Sequence, residues 1–347
     1  MLYRRVIRPL LFTLYPETVH ALAVTLLKTT ARVPGILKIF GYIYDVNDKR
    51  LEREVFGIKF KNPVGIAAGF DKNGRFYNEL AMLGFSFVEI GTVTPVAQPG
   101  NPKPRSFRLP KDKALINRMG INNIGAAQVA RNLRKVRPKI IIGGNIGKNT
   151  ETPNINAVDD YVECFKALYE VVDYFVLNVS CPNIGDIRKL QDADTLVEII
   201  SALKKVSAGM KTVRPVLLKI SPDLNEGQLD ELVEIALKNG IYGFVATNTT
   251  IKRENLSTDP DKIEAIGQGG LSGLPLRDRS TEIIRYIVQR SEGKLPVIGA
   301  GGIMDDKDAA DKLRAGASLI QVYTGFIYGG PGIARRINQA IAKNSYK

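Results

Sequence analysis

The chain has 347 residues, 44% hydrophobic and 24% charged, an ordinary globular composition long enough for one or two domains or one α/β barrel. One His (His20), two Cys (Cys164, Cys181) and no Trp exclude His-rich zinc sites, two-His iron sites and four-thiolate iron–sulfur clusters, so no metal is expected, and acid–base work falls to other side chains or a cofactor. The net charge of +14 suits nucleic acid, an anionic membrane or anionic small ligands; with no basic run of five residues and no basic stretch interleaved with aromatics, no nucleic-acid partner is expected.

Leu2, Val6, Ile7, Leu10, Leu11 and Leu14 recur at helical spacing among Arg4, Arg5 and Arg8. Pro16 opens a second helix with the stripe Val19, Leu22, Ala23, Leu26 and Leu27, and a third follows around Ile36–Tyr44. Residues 1–40 carry six basic side chains against Glu17 alone. No apolar run approaches the roughly 18 residues of a membrane span. Arg8 and Pro9 interrupt the first run and no small-residue cleavage site follows, so the segment is read as retained. Two readings stand: a helical cap packed on the main domain, or an amphipathic cationic module lying on an anionic bilayer.

From about Asn62 the rhythm changes. Short apolar, β-branched runs at 63–69, 87–92, 139–147, 174–180, 215–221, 243–249, 296–302 and 319–325 alternate with helical stretches such as 194–207, 226–239 and 305–315. Strands apolar on both faces are those of a parallel sheet covered on both sides. Eight βα units in series predict a TIM barrel; an open doubly wound sheet is disfavoured because no GxGxxG follows the first strand.

The chemistry of such barrels sits at the C-terminal strand ends. Here these ends carry Asp71 and Lys72, Thr92, Asn145, Asn178, Lys219, Thr247-Asn248-Thr249, Gly301-Gly302 and Tyr323-Thr324-Gly325, with Cys181 and Asn183 just past the fourth strand. Carboxamides both donate and accept, so this set suits a planar, anionic heterocycle with alternating C=O and N–H edges. The glycines after the seventh and eighth strands predict a phosphate site. The long proline-rich connection 93–138 is expected to close over the mouth with Arg105, Arg108 and Asn117, and 182–195 is a second candidate lid hinged at Gly185. Cys164, in a helical pattern, reads as packing.

The motifs AAGFDKNG, EIGTVTP, NPKPRSFRL, INRMGINN, NIGKN, LNVSCPN, LLKISPD, ATNTT, GGLSG, GAGGI and QVYTGFIYGGPG, in this order and spacing, resemble the dihydroorotate dehydrogenases over essentially the whole chain. LFTLYPETVHALA is similar to the membrane-associated, quinone-reducing class 2, whose helices form a tunnel toward the flavin and which class 1 lacks. The resemblance implies a helical, membrane-facing quinone-tunnel domain (1–45) before an FMN-binding barrel (46–347). It implies oxidation of (S)-dihydroorotate to orotate on FMN in de novo pyrimidine synthesis, ubiquinone or menaquinone as acceptor, and a peripheral place on the cytoplasmic side of the cell (inner) membrane.

Carried over position by position, Ala68, Gly69, Phe70, Asp71, Lys72, Thr92, Asn145, Asn178, Lys219, Thr247, Gly273, Gly302, Tyr323 and Thr324 match flavin-binding positions. Lys72, Asn117, Arg118, Met119, Gly120, Ile121, Asn178, Asn183, Asn248 and Thr249 match dihydroorotate contacts, and His20, Arg108 and Tyr323 match the quinone passage. Lys72 and Lys219 would supply catalytic charge, Lys219 by stabilising the anionic reduced flavin. Two departures stand out. Cys181 occupies the base position where class 2 members usually have Ser, and is assigned as the base because neighbouring Ser180 would point the opposite way along an extended segment. Ile121 stands where class 2 commonly has an aromatic residue. The rival readings are the same oxidation with a soluble acceptor (fumarate or NAD), prompted by Cys181, and a flavin-free phosphate-binding barrel lyase or isomerase.

Overall fold

The computed structural model describes residues 2–179 and 193–343. Eight parallel strands, Val64–Ile66, Phe87–Val93, Ile141–Ile146, Tyr174–Asn178, Val216–Ile220, Gly243–Ala246, Val297–Ala300 and Leu319–Val322, pair in chain order, and the last closes on the first. That closing register sets Ile320 opposite Val64. This is the TIM barrel that the alternation of runs predicts. Except for Phe87–Val93, which extends one residue past its run, each strand is shorter than its apolar run because the polar residues ending the run turn into the loops at the barrel mouth.

The helices Ala126–Lys135, Ala157–Leu168, Ala193–Ser207, Glu226–Lys238, Arg277–Arg290, Asp306–Arg314 and Ile333–Ala342 surround the strands. Their buried faces follow helical periodicity, as with Leu196, Ile199, Ile200 and Leu203. Asn225 begins its helix with a capping box, accepting from the Gln228 amide while the Gln228 side chain accepts from its own. The main core lies between helices and barrel.

The two ends of the barrel differ. At the bottom, the rings of Phe87 and Tyr174 pack with Phe60 of an antiparallel hairpin, Arg53–Val55 and Ile58–Phe60, that the sequence pattern did not reveal. A Cβ at Gly143 would sit 2.3 Å from the Tyr174 ring, so that strand position must lack a side chain for the plug to fit. At the top, the connection 93–138 is not simply a loop. It forms a hairpin, Ser106–Leu109 with Ala114–Asn117, which takes Gly270–Gly273 as a third antiparallel strand. This small sheet ties the connection after the second barrel strand to the one after the sixth.

At the N-terminus, a π-helical turn (Tyr3–Ile7) runs into Arg8–Phe12, followed by Pro16–Ala31 and Ile36–Tyr44. Val24, Leu27, Phe40 and Tyr44 pack against the main core. On the other side Leu2, Leu10, Leu22, Leu26, Ile39 and Tyr42 are exposed. These helices are thus packed on the main domain, as the first reading expects, and also leave apolar side chains uncovered. Among the described residues, no helix is long and apolar enough to cross a membrane.

Candidate active site

A cleft opens at the C-terminal end of the barrel, lined by Ala68, Gly69, Lys72, Thr92, Asn117, Met119, Ile121, Asn178, Lys219, Thr247, Asn248, Thr249, Gly273, Gly302, Tyr323 and Thr324. All the barrel strands but the third, Ile141–Ile146, contribute polar or small residues to this space from the strand or the loop that follows it, the result of eight strands sharing one direction. The upper hairpin contributes Asn117 and, just beyond it, Met119 and Ile121. Ile121 is buried with φ 50°, a left-handed conformation that costs a β-branched residue energy.

The polar groups form one continuous chain. Glu89, fully buried on the second strand, accepts from Lys219 Nζ (3.0 Å) and Asn145 Nδ2 (2.7 Å) on one oxygen and from Gln321 Nε2 (2.7 Å) on the other. Thr92 Oγ1 donates to Asn145 Oδ1 (2.5 Å), and Asn178 Nδ2 donates to Thr92 Oγ1 (2.8 Å). Asn248 Nδ2 reaches Asn178 Oδ1 at 3.4 Å. The orientation of each amide is thereby fixed by the next, from the barrel interior to the mouth. Across the cleft, Lys72 Nζ donates to Asn122 Oδ1.

At another part of the rim, Thr324 Oγ1 pairs with Ser272 Oγ at 2.8 Å. Gly302 has φ 74°, and a Cβ there would lie 2.3 Å from Arg277 Cα, so its backbone seats directly on the start of the Arg277–Arg290 helix. Gly273, Gly301, Gly302, Ser272 and Thr324 line this part of the cleft, a set of glycines and hydroxyls whose chemistry suits a phosphate group. Buried lysine, aligned carboxamides and this glycine rim fit FMN: a cation and amides for the polar edge of a flat ring system, donors for its phosphate.

Other residues singled out from sequence lie around the cleft rather than in it. Asn145 sits beneath it in the amide chain. The Asp71 carboxylate, pushed up to about 6 by burial, accepts from the Arg75 and Phe76 amides and so shapes the loop after the first strand. Arg118 donates to the carbonyls of Ile266 and Gln268 and stacks over Phe107. Gly120 packs on Asn101. Ser180, Cys181, Asn183 and residues 182–192 of the second candidate lid lie outside the described residues, while 193–195 begin the helix Ala193–Ser207. Cys164 is buried in its helix, its thiol raised well above the usual range by burial.

The pair expected to close over the mouth does otherwise. Arg105 and Arg108 turn to the N-terminal helices: Arg105 pairs with Glu17 (2.9 Å), and Arg108 donates to the Leu14 carbonyl and lies over the Phe12 ring, 4.6 Å from its centroid. Only Asn117 of the three reaches the cleft. Arg108 shares the hairpin face of Ser106, Leu115 and Asn117, with Leu115 as its cross-strand partner, and its long side chain passes on to the N-terminal helices, whereas Arg105 precedes the strand. Phe70 links the two regions, its ring 5.0 Å from His20 and 5.7 Å from Tyr323. Burial, then the Lys72 charge, lower the His20 pKa, and burial raises Tyr323 to about 12, so both are neutral near pH 7.

Glu89 and Gln321 were missed by reading strand ends. The available signal was the lone carboxylate in FVEIGT: an ionised residue inside a strand buried on both faces needs a partner, and Lys219 is its counterpart in another such strand.

Fold and cleft define a TIM-barrel protein with a polar, lysine-bearing cleft at the C-terminal strand ends. The family model described as dihydroorotate dehydrogenase matches residues 50–344. The chain is 51% identical over 340 residues to "Dihydroorotate dehydrogenase (quinone)" of Christiangramia forsetii, covering 98% of each chain, and 47% identical to the protein of that name from Cellvibrio japonicus, covering 97% of each. Among solved structures, ligand-free DHODH from Eimeria tenella superposes with a TM-score of 0.85 at 36% identity, covering 94% of each chain. The chain belongs to the dihydroorotate dehydrogenase family.

Proposed function

We propose that the chain oxidises (S)-dihydroorotate to orotate on an FMN held in the cleft and hands the electrons to a membrane quinone, the redox step of de novo pyrimidine synthesis. The observation that carries this reading is the amide chain running from Glu89 and Lys219 to Asn178 and Asn248, set across the cleft from Lys72, in a member of this family. FMN, when bound, supplies the two-electron acceptor. Lys219, Thr92, Asn145, Asn178, Thr247, Tyr323 and the loops at 68–72, Gly273, Gly302 and Thr324 hold it. Asn117, Met119, Ile121, Asn178, Asn248, Thr249 and Lys72 receive dihydroorotate, the amides matching its ring edges and Lys72 its negative charge; Arg118 and Gly120 shape that loop from behind. Cys181, three residues past Asn178 in the chain, takes the substrate proton, with Asn183 as a further contact. A thiol does this with less activation than a hydroxyl because its ordinary pKa is near 8.5.

The N-terminal helices (1–45) form the quinone entry and the contact with the cytoplasmic side of the cell membrane. Support comes from their exposed apolar face, and from His20, Phe70 and Tyr323 in line between that face and the cleft. Arg108 Nε is buried without a hydrogen-bond partner, a donor suited to a quinone carbonyl. The test is the visible spectrum of purified protein, followed by anaerobic addition of dihydroorotate. Stoichiometric FMN that bleaches with substrate and reoxidises with ubiquinone or menaquinone is expected. Colourless protein that FMN does not reconstitute overturns the flavin reading, and turnover with fumarate or NAD in place of quinone overturns the acceptor.

A further inference from the structure

Glu89 lies where a carboxylate is least at home: at the centre of the barrel, fully buried, with hydrophobic rings beneath it. Such a group persists only when its lone pairs are taken, and here three side chains on three different strands converge on it. Lys219 and Gln321 themselves line the cleft, Gln321 holding the opposite oxygen, and Asn145 continues into the amides bordering it. The ammonium of Lys219, which lines the cleft, is held on the Glu89 carboxylate at 3.0 Å. Asn145 cannot reverse its amide without losing both its donation to Glu89 and its acceptance from Thr92.

We propose that Glu89 is a positioning residue for the redox cofactor: a buried counter-anion that anchors Lys219 and Asn145 and sets how much positive charge the bound flavin meets. This rests on the FMN reading above. With its carboxylate present, part of the Lys219 charge is neutralised from below, and the reduced, more anionic state of the cofactor is stabilised less than the lysine alone would allow. Removing the negative charge therefore strengthens the field at the ring and favours the reduced form. Removing the Gln321 donor has the opposite sign, because the Glu89 charge is then no longer offset by that N–H dipole.

The experiment is the flavin midpoint potential of wild type, Glu89→Gln, Gln321→Leu, Lys219→Gln and the Glu89→Gln/Lys219→Gln double variant, all measured at one pH. FMN content is determined first, so that wild-type protein without flavin refutes the FMN reading, while flavin-loaded protein tests Glu89 alone. Glu89→Gln is expected to raise the potential by about 30 mV or more, tenfold in a two-electron equilibrium. The shift should shrink in the double variant, where the anchored charge is gone. Gln321→Leu should lower the potential by a smaller amount. An unchanged or lowered potential in Glu89→Gln overturns the proposal. If that variant does not fold, an unchanged or raised potential in Gln321→Leu does so instead.

Discussion

Lys312 shows how far burial can move one side chain away from the catalytic chemistry. It is fully buried behind the glycine rim, its ammonium donating to the Arg277 carbonyl and the Thr281 hydroxyl, both at 2.6 Å, and burial lowers its pKa to about 7. The unfolded chain keeps that proton until near pH 10, whereas the folded protein releases it near 7. Between those values the unfolded state binds more protons, so stability rises with pH, by at most about 1.4 kcal/mol per unit. Urea unfolding at pH 7 and pH 9 should show this rise in wild type and a smaller one in Lys312→Met; equal pH dependence in both would rule out the assignment. At the substrate base, Cys181→Ala is expected to abolish flavin reduction by dihydroorotate with FMN still bound, and Cys181→Ser to keep activity with its pH profile moved upward. Loss of reduction in Ser180→Ala, with Cys181→Ala active, would transfer the role.

One pair of elements, the upper hairpin and the helix Pro16–Ala31, depends on a single buried arginine. Arg105 takes the Glu17 carboxylate on one side and the carbonyls of Pro99 and Asn101 on the other, while its backbone amide donates to the Tyr15 hydroxyl at 2.8 Å. Arg105→Ala leaves those acceptors without their donor and should cost about 2 kcal/mol, read as a lower urea midpoint. Because Asn101 in turn holds the Arg118 carbonyl beside the substrate loop, the same variant should raise the KM for dihydroorotate; an unaltered midpoint and KM would show the latch to be idle. The barrel was legible in the sequence because eight apolar runs alternate with amphipathic stretches, and the third N-terminal helix falls where its spacing placed it, at Ile36–Tyr44. The hairpin was not. Ser106–Leu109 and Ala114–Asn117 are four-residue strands, too short for alternation to register, and their third partner, Gly270–Gly273, is distant in sequence. The cleft was legible wherever a polar residue ends a strand, as at Asn178 and Lys219. Glu89 and Gln321 lie within strands, and only their long-range pairing shows what they do.

For the molecule as a whole, the N-terminal helices leave both apolar and basic side chains exposed. Leu22, Leu26, Ile39 and Tyr42 are exposed there, and Arg4, Arg5, Arg32 and Lys38 are exposed on the same helical segment. Leucine in water is unremarkable singly, but this concentration near one end, with a cationic fringe, is the pattern of a surface that rests in a bilayer's headgroup region. Each basic residue near an anionic membrane adds roughly 1 kcal/mol, a contribution that salt screens, while the apolar part resists salt. The proposed membrane contact is therefore tested by co-sedimentation with phosphatidylglycerol-containing vesicles, comparing wild type with Leu22→Glu/Leu26→Glu/Ile39→Glu. These three positions are exposed, so the variant should fold and keep reduction of its flavin by dihydroorotate. It should lose vesicle binding and, with it, turnover of a long-chain quinone embedded in the vesicles, while a short, water-soluble quinone remains a substrate. A variant that binds vesicles and reduces the embedded quinone as wild type does would place the quinone entrance elsewhere on the molecule.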